Sequence, residues 1–505
     1  MARYCLAPGE ARSADKVALV VISDPDSLEP AESWTYGALA ESALKIAAGL
    51  GDLGLQRGDK IMIRLANTSD YALLFFGALA GGFVALPASA LLSEREVAFL
   101  LDDCGAKAIA FDPSLPLCEI PQGVYALGTD EISSLKTHYK SAEYAPTNAD
   151  DPAFLVYTSG TTSAPKGVLH AHRSAWGRRP MYQGWYGIGP DDRMLHAGAF
   201  NWTFTLGVGL TDPWANGATT VIYNGPPDPG VWPRIIAKHA VTLFAAVPGI
   251  YRQILKYAEF TPDQLQTLRH GLIAGERISS GMREEWRARS GTEFYEAIGM
   301  SELSTYISSS PSVPPRPNAI GIPQLGREIA ILPIEEGEDP LPVGEVGIIA
   351  AHRTDPGLML GYWDRLEEES HVYRGDWFLT GDLGSSDSDG YISHHGRTDD
   401  LMNAQGYRVS PQEIEQILGD HPDVAEIAAA EIQVRPDVNV IGAFVVAREG
   451  ARPNADSIRE FAETRLPAYK VPREVIFLNA LPRNPNGKVV RSELACTFDP
   501  TNNHG

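Results

Sequence analysis

The sequence predicts an α/β protein with a large N-terminal domain of mostly parallel sheets covered by helices, and a small, mobile α+β C-terminal domain. Up to about residue 398, short apolar runs alternate with amphipathic stretches. This alternation is typical of strands and helices that follow one another in parallel sheets. The pattern then changes, and a chain of 505 residues is too long for one ordinary core.

The individual elements follow from local patterns. Apolar runs bounded by turn residues predict buried strands at residues 60–67, 106–112, 217–225, 240–248, 269–276 and 292–300. Helical periodicity predicts helices at residues 35–54, 232–240 and 280–291. Because ligands bind at the carboxyl ends of parallel strands, we expect the chemistry in the turns that end these strands.

Residues 71–87 form a long apolar stretch that ends at Pro87. A membrane-spanning helix needs about 20 apolar residues. We therefore expect no membrane span here but a buried helix that runs into a buried strand. Asn67, Ser69 and Asp70 supply candidate N-cap chemistry for this helix.

The C-terminal part has a different element order. A hairpin-like stretch leads into a helix that begins at Ser410 and Pro411. A strand, a helix and another strand follow at residues 439–449, 454–466 and 473–479. We therefore predict an N-terminal domain of residues 1–398 and a C-terminal domain of residues 399–505.

Composition narrows the classes of function. The formal net charge of −22 argues against a nucleic-acid partner, because a phosphate backbone would be repelled. The four cysteines are scattered and the first residues lack an apolar run, which predicts a cytoplasmic protein with free thiols.

The stretch from Tyr157 to Gly167 reads YTSGTTSAPKG and follows a predicted strand. Hydroxyls and backbone N–H groups in a tight turn make a concave anion site, and Lys166 adds a positive charge. A nucleoside triphosphate is a natural ligand for such a site. The spacing is not that of a P-loop, because Pro165 precedes the lysine.

This stretch resembles the phosphate loop of the adenylate-forming superfamily, which includes acyl-CoA synthetases, luciferases and peptide-synthetase adenylation domains. The usual pattern is S/T-G-T-T-G-x-P-K-G, and Ser163 stands where glycine is commoner. Further motifs appear in the family's order over nearly the whole chain. The resemblance implies an ATP-dependent, AMP-forming acyl-CoA synthetase or aryl-CoA ligase.

The resemblance also implies which residues bind ATP. Asp382 in FLTGDLG would accept hydrogen bonds from both ribose hydroxyls, and Arg397 would contact ribose or phosphate. The AGE turn would lie beside adenine, and Ile298 stands where a tyrosine is usual. The full set is Thr158, Ser159, Gly160, Thr161, Thr162, Ser163, Lys166, Gly275, Glu276, Ile298, Gly299, Met300, Ser301, Asp382 and Arg397.

Three residues would carry catalysis by the same resemblance. Glu302 in EAIGMSE would hold Mg²⁺, a hard cation that prefers oxygen ligands. Lys488 in PRNPNGK would bridge the carboxylate and the α-phosphate as negative charge develops. Lys166 would add its charge from the phosphate loop.

The second half-reaction depends on the C-terminal domain. Asp399 stands where the family has its hinge residue. Gly406 and Tyr407 would line the channel of the thiol, and Gly406 would leave room for a pantetheine arm.

The resemblance places the acid pocket around two segments. Asn201 lies near a position that is often histidine, with Trp202 and Phe204 beside it. Ala274 and Gly299 complete the expected lining. An apolar aromatic pocket favours an aryl or medium-chain acid, although core packing explains Phe204 equally well.

The predicted substrates and cofactors are a carboxylic acid, ATP, Mg²⁺ and coenzyme A. A separate carrier protein is the alternative acceptor. A protein that binds nucleotide without chemistry is the alternative of another class. The sequence leaves open whether the chain forms a homodimer.

Overall fold

The computed structural model describes residues 1–158, 165–275, 278–404, 407–435, 438–483 and 489–498. For residues 403, 404, 407, 408 and 438 this description covers the backbone alone.

The strands alternate with helices over most of the chain. In chain order the strands are β1 Val17–Ile22, β2 Glu32–Thr35, β3 Lys60–Arg64, β4 Val84–Pro87, β5 Ala108–Phe111, β6 Tyr125–Leu127, β7 Pro152–Thr158, β8 Lys166–Ala171, β9 Arg193–His196, β10 Thr219–Tyr223, β11 Leu243–Ala246, β12 His270–Ala274, β13 Glu293–Met300, β14 Ser304–Ser308, β15 Ile322–Pro323, β16 Ile329–Leu332, β17 Gly347–His352, β18 Gly361–Tyr362, β19 Tyr373–Arg374, β20 Trp377–Ser386, β21 Ile392–Arg397, β22 Met402–Ala404, β23 Tyr407–Val409, β24 Val424–Arg435, β25 Val438–Ala447 and β26 Glu474–Phe477.

The helices cover the faces of the sheets. In chain order they are α1 Ala2–Leu6, α2 Tyr36–Asp52, α3 Ser69–Gly81, α4 Glu94–Cys104, α5 Thr129–Lys136, α6 Ser174–Gly177, α7 Arg179–Met181, α8 Thr203–Leu206, α9 Asp212–Ala215, α10 Val231–Lys238, α11 Pro248–Tyr257, α12 Ser280–Ser290, α13 Leu366–His371, α14 Pro411–Gly419, α15 Ala455–Glu463 and α16 Arg491–Thr497. Single π-helical turns lie at Tyr182–Tyr186 and Gly207–Thr211.

Two large sheets form the core of the N-terminal part. The nine-stranded sheet has the order β15-β14-β13-β12-β11-β9-β10-β1-β2, and its central strands are parallel. The seven-stranded sheet has the order β18-β8-β7-β4-β3-β5-β6 and is antiparallel only where β7, β8 and β18 pair. The predicted α/β class with mostly parallel sheets is confirmed.

A third sheet differs from the prediction. Strands β16, β17, β19, β20 and β21 form an antiparallel five-stranded sheet. The C-terminal part holds the two-stranded sheet β22-β23 and the three-stranded sheet β24-β25-β26, with α14 and α15 packed together beside them. The smaller α+β unit is as predicted, while the domain boundary between residues 398 and 399 stays a prediction.

The apolar stretch at 71–87 folds as a buried helix and a buried strand, α3 and β4. The residue that caps α3 is Thr68, whose hydroxyl accepts a hydrogen bond from the backbone N–H of Tyr71 at 3.3 Å. Sequence analysis named Asn67, Ser69 and Asp70 instead, because these residue types cap helices as well as threonine does. Within the described residues, no helix combines the length and apolar character that crossing a bilayer requires.

Four buried histidines make the stability of this fold sensitive to acid. Burial lowers the pKa of each from 6.5 to about 4, and they are His170, His172, His196 and His270. The unfolded chain binds these protons once the pH falls below about 6.5, whereas the folded chain does not until about pH 4. Stability is therefore complete above pH 6.5 and is lost progressively as the pH falls towards 4.

We expect the free energy of unfolding to fall over this window by up to about 3 kcal/mol per histidine. Urea denaturation between pH 7.5 and 4.5 measures the slope. His196→Asn should remove the contribution of one histidine to this slope. The same replacement of the exposed His371 should leave the slope unchanged. Equal slopes in the wild type and the His196 variant would contradict this assignment.

Candidate functional site

The phosphate-loop motif joins two antiparallel strands. Thr158 ends β7 and pairs with Lys166, the first residue of β8. Residues 159–164, which connect them, lie outside the described residues. Lys166 therefore begins a strand rather than a helix, unlike the lysine of a P-loop.

The Lys166 side chain has two neighbours near β18, which are Tyr362 at the end of that strand and Glu368 on the following helix α13. Strand β18 pairs with β8, so Tyr362 lies opposite Val168. The Lys166 ammonium group forms an ion pair with the carboxylate of Glu368, on α13. It also lies 5.8 Å from the centre of the Tyr362 ring. Strand β18 and the helix that follows it therefore fix where this positive charge lies.

The same tyrosine reaches the predicted metal ligand. Glu302 lies in the turn between β13 and β14, and its Oε1 accepts a hydrogen bond of 2.8 Å from the Tyr362 hydroxyl. Burial and the nearby Glu302 carboxylate raise the pKa of Tyr362, so the hydroxyl keeps its proton. The backbone N–H of Met359 donates to the Glu302 carbonyl oxygen at 2.8 Å. Lys166 and Glu302 thus share Tyr362 as a neighbour.

The surroundings of Glu302 fit a magnesium ion that is held mainly by substrate. Within the described part of the chain, its second oxygen, Oε2, has no hydrogen-bond donor. No cluster of three or more His, Cys, Asp or Glu side chains suited to a metal occurs among the described residues. Mg²⁺ in nucleotide sites commonly takes one or two carboxylates together with substrate phosphates. A carboxylate oxygen that accepts no hydrogen bond from the described residues is consistent with that arrangement.

Asp382 lies in a buried polar group on β20. Its Oδ1 lies 3.0 Å from His394 Nε2 and 3.9 Å from Arg397 Nη1. Its Oδ2 accepts a hydrogen bond of 3.4 Å from the Tyr306 hydroxyl. Asp382 and Arg397 are register partners across β20 and β21, which explains their spacing in the sequence. Several donors therefore orient this carboxylate.

Arg397 connects Asp382 with the predicted hinge. Its Nε donates to Asp399 Oδ1 at 2.9 Å. Burial alone would lower the pKa of the Arg397 guanidinium, but the charges of Asp382 and Asp399 outweigh it and raise this pKa. One permanently charged group therefore lies between the candidate ribose carboxylate and the exposed Asp399.

The segments predicted to surround adenine lie side by side. Strands β12 and β13 are parallel, and Ala274 pairs with Ala297 at their carboxyl ends. Gly275 follows with a φ of +99°, a conformation that favours glycine. Ile298, Gly299 and Met300 continue β13, and Ser301 begins the turn that carries Glu302.

The predicted acid-pocket residues adjoin these strand ends. Phe204 is half-buried and packs against a cluster that contains Ala274 and Ala297. The Trp202 ring meets it edge to face at 5.6 Å, and the Trp185 ring lies 6.0 Å away. Asn201 lies in the turn before Trp202. Phe204 therefore belongs both to the core cluster and to the aromatic group that includes Trp202.

Contacts connect the phosphate-loop lysine to the candidate ribose carboxylate. They run from Lys166 through Tyr362 to Glu302, and along β14 to Tyr306 and Asp382. Several predicted residues lie outside the described residues: Ser159, Gly160, Thr161, Thr162, Ser163, Glu276, Gly406 and Lys488. Tyr407 is described by its backbone in β23. The roles of all these residues stay predictions.

Sequence analysis missed four residues of this region. They are Tyr306, Tyr362, Glu368 and His394. A signal for His394 exists in the sequence, because it precedes Arg397 by three residues in SHHGR and the hairpin returns it to Asp382. The partners Tyr362 and Glu368 depend on the pairing of β18 with β8, which no local pattern reveals.

Comparison with known proteins identifies the family. The profile of the AMP-binding enzymes matches residues 8–363, and that of their C-terminal domain matches residues 413–488. The chain belongs to the AMP-binding enzymes. The resemblance deduced from the motifs is therefore confirmed, and with it the class of adenylate-forming enzymes.

Relatives of this AMP-binding enzyme are acyl-CoA and aryl-CoA ligases. The 3-hydroxybenzoate–CoA ligase of Aromatoleum sp. strain CIB is 28% identical over 92% of this chain and 91% of its own length. The mitochondrial acyl-coenzyme A synthetase ACSM2 of Rattus norvegicus is 28% identical over 91% and 84%. ATP-bound MatB from Rhodopseudomonas palustris superposes with a TM-score of 0.88, at 25% identity over 98% of both chains.

Proposed function

We propose that this AMP-binding enzyme is an AMP-forming ligase that activates an aryl or medium-chain carboxylic acid with ATP and transfers the acyl group to coenzyme A. The observation that carries the proposal is the chain of contacts that connects Lys166, Glu302 and Asp382. Lys166 begins β8, Glu302 lies in the turn after β13, and Asp382 lies within β20. A single nucleotide could therefore meet a phosphate-binding cation at one end and a ribose-binding carboxylate at the other.

In the first half-reaction, a carboxylate oxygen of the acid attacks the α-phosphorus of ATP, and pyrophosphate leaves. The product is an acyl-adenylate. Two anions must approach each other, so positioning and positive charge provide most of the catalysis. Lys166 supplies charge from the N-terminal part, and we assign Lys488 the corresponding role from the C-terminal part.

In the second half-reaction, the thiolate of coenzyme A attacks the acyl carbonyl carbon, and AMP leaves as the thioester forms. We propose that the C-terminal domain, residues 399–505, rotates about Asp399 between the two steps, and that Gly406 and Tyr407 then line the thiol channel. Arg397 supports this role because it contacts Asp399 and also faces Asp382.

Magnesium is the proposed metal, with Glu302 as its protein ligand. When bound there, Mg²⁺ would neutralise charge on the phosphates of ATP. Two observations support this assignment: Oε2 of Glu302 accepts no hydrogen bond from the described residues, and Tyr362 neighbours both Glu302 and Lys166. Tyr362 holds the other oxygen and so orients the carboxylate.

The aromatic group around Phe204 supports an aryl or medium-chain acid. The Phe204 ring contacts the rings of both Trp185 and Trp202, and it packs against a cluster that contains the small side chains of Ala274 and Ala297. Ligases that are named for 3-hydroxybenzoate and for acyl groups are among the relatives.

We further propose a cytoplasmic location, supported by four free cysteines, and a homodimer as the assembly to test by light scattering.

Exchange of labelled pyrophosphate into ATP, measured over a panel of acids, tests this function. We expect exchange with benzoates and medium-chain acids to exceed that with acetate or glycine. Thioester formation with free coenzyme A would distinguish this function from the loading of a carrier protein. Absence of acid-dependent exchange would contradict the enzyme and favour a nucleotide-binding protein.

The ion pair of Lys166 leads to a separate prediction. Glu368 neutralises the ammonium group that we assign to the phosphates, so ATP must displace this carboxylate. Glu368→Gln should therefore tighten ATP binding by about threefold to tenfold. Glu367→Gln, on the same helix, is the matched control and should leave it unchanged. Isothermal titration with ATP measures both, and weaker binding in the Glu368 variant would contradict the prediction.

A further inference from the structure

The turn that carries Glu302 ends in an unusual backbone conformation. Ser304, the first residue of β14, has a φ of +71°. This left-handed region is disfavoured for residues with a Cβ atom, and serine is not among those that tolerate it best. Such a conformation persists where surrounding contacts hold it.

A buried ion pair supplies those contacts. The Ser304 hydroxyl accepts a hydrogen bond from Arg178 Nη1. The other edge of the same guanidinium binds the Asp212 carboxylate, with Nε to Oδ1 at 2.8 Å and Nη2 to Oδ2 at 2.7 Å. The Tyr186 hydroxyl donates to Asp212 Oδ2 at 2.8 Å. Both charged side chains are almost fully buried, so neither can move towards water.

Close packing against the backbone at two glycines restricts the guanidinium and the turn. A Cβ atom on Gly207 would lie 1.9 Å from Arg178 Nη2, so the guanidinium packs directly on backbone. A Cβ atom on Gly299 would lie 2.5 Å from the Ser304 carbonyl oxygen. Ser304 is therefore held through its hydroxyl, while its carbonyl oxygen packs closely against Gly299.

The start of the turn is also held. His170 Nε2 donates to the Ser301 carbonyl oxygen at 2.8 Å, and the His170 ring stacks on Phe154 at 4.5 Å. Between these two fixed ends only Glu302 and Leu303 remain, and Leu303 is fully buried. A change of φ at Ser304 would therefore redirect the Glu302 side chain rather than be absorbed by the turn.

We propose that Ser304, held in its left-handed conformation by the buried Arg178–Asp212 pair, is a positioning residue that aims the Glu302 carboxylate at the metal of the bound nucleotide. The inference rests on the proposed function, which makes Glu302 the metal ligand. Ser304 itself touches neither nucleotide nor metal. Its hydroxyl acts by fixing a backbone angle.

Two substitutions that remove the same hydroxyl separate this role from others. Ser304→Ala loses the bond to Arg178 and still disfavours a positive φ, so the turn should relax. Ser304→Gly loses the same bond but adopts a positive φ without strain, so the turn can keep its direction. Glu302→Gln removes the proposed ligand charge and tests the underlying function.

The experiment measures Mn²⁺ binding to the full-length protein in the presence of a non-hydrolysable ATP analogue. The electron paramagnetic resonance signal of free Mn²⁺ reports how much of the metal is unbound. We expect Ser304→Ala to raise the Mn²⁺ dissociation constant by about tenfold, as outer-sphere partners of metal ligands commonly do. Ser304→Gly should stay within about threefold of the wild type. Glu302→Gln should weaken binding at least as much as Ser304→Ala.

The outcomes separate the two levels of the inference. If Glu302→Gln weakens Mn²⁺ binding but the two Ser304 variants behave alike, the positioning role is overturned and the metal role of Glu302 stands. If Glu302→Gln leaves Mn²⁺ binding unchanged, the metal role falls and the positioning role falls with it. Circular dichroism of each variant shows whether it is folded.

Discussion

Replacing Lys488 with alanine is expected to reduce acid-dependent exchange of pyrophosphate into ATP by about a thousandfold, the upper range for loss of one group that stabilises transition-state charge. The reason is that adenylation joins two anions, and the proposed lysine offsets the charge that develops between them. Thioester formation from supplied acyl-adenylate should change by no more than about threefold, because that step starts after the phosphate chemistry.

The matched control is Lys470→Ala, in the same part of the chain. Lys470 forms an ion pair with Glu413 at 2.5 Å and has no proposed role in catalysis. This variant should keep both half-reactions. Exchange that persists in the Lys488 variant would show that the C-terminal lysine has been wrongly assigned.

Replacing Asp382 with asparagine is expected to lower kcat/KM for ATP by about a hundredfold. The proposed ribose contacts are two hydrogen bonds to a charged acceptor, each of which contributes about 1.5–3 kcal/mol. Asparagine keeps an acceptor oxygen and therefore retains part of this energy. Asparagine keeps the shape of the side chain, so the packing against His394 and Tyr306 should survive. Steady-state kinetics with varied ATP measures the effect.

The substrate analogue 2′-deoxy-ATP tests whether the effect of the Asp382 substitution comes from contacts with ribose. If Asp382 binds the ribose hydroxyls, the wild type should discriminate against 2′-deoxy-ATP, and the Asp382 variant should lose most of that discrimination. The control is Asp387→Asn. Asp387 is an exposed residue of the same hairpin, and its carboxylate forms an ion pair with Arg316. Unchanged discrimination in the Asp382 variant would mean that its effect comes from the surrounding hydrogen bonds and not from ribose.

Local sequence patterns predicted the parallel part of the fold well. Strands such as β3, β10 and β12 are short apolar runs that end in turn residues, and their burial follows from composition alone. Strand β13 forms where it was predicted but is mostly half-buried, because polar and small residues alternate with its apolar ones. The antiparallel five-stranded sheet was not predicted, because the connections from β16 to β17 and from β17 to β20 are long. Strand β24 was also missed, since its sequence VAEIAAAEIQVR is rich in helix-forming Ala and Glu. Its pairing with β25 along ten register positions overrides that preference.

The candidate site was predictable where a motif carries its own chemistry. Asp382 and Arg397 were found from their motifs, and the hairpin of β20 and β21 explains why they meet. Tyr362 and Glu368 were not found, because their relation to Lys166 arises only when β18 pairs with β8. The same holds for Arg178 and Ser304, which are 126 residues apart in the sequence and meet through packing alone.

A crystal structure of the protein with bound ATP and Mg²⁺ is the most direct test of the central claim, that one nucleotide extends between Lys166 and Asp382. We expect the phosphates beside Lys166 and Glu302, in place of the Glu368 carboxylate. The ribose hydroxyls of the same molecule should contact Asp382. A nucleotide that reaches only one of these two residues, with the other opening onto a separate cavity, would contradict the proposed function.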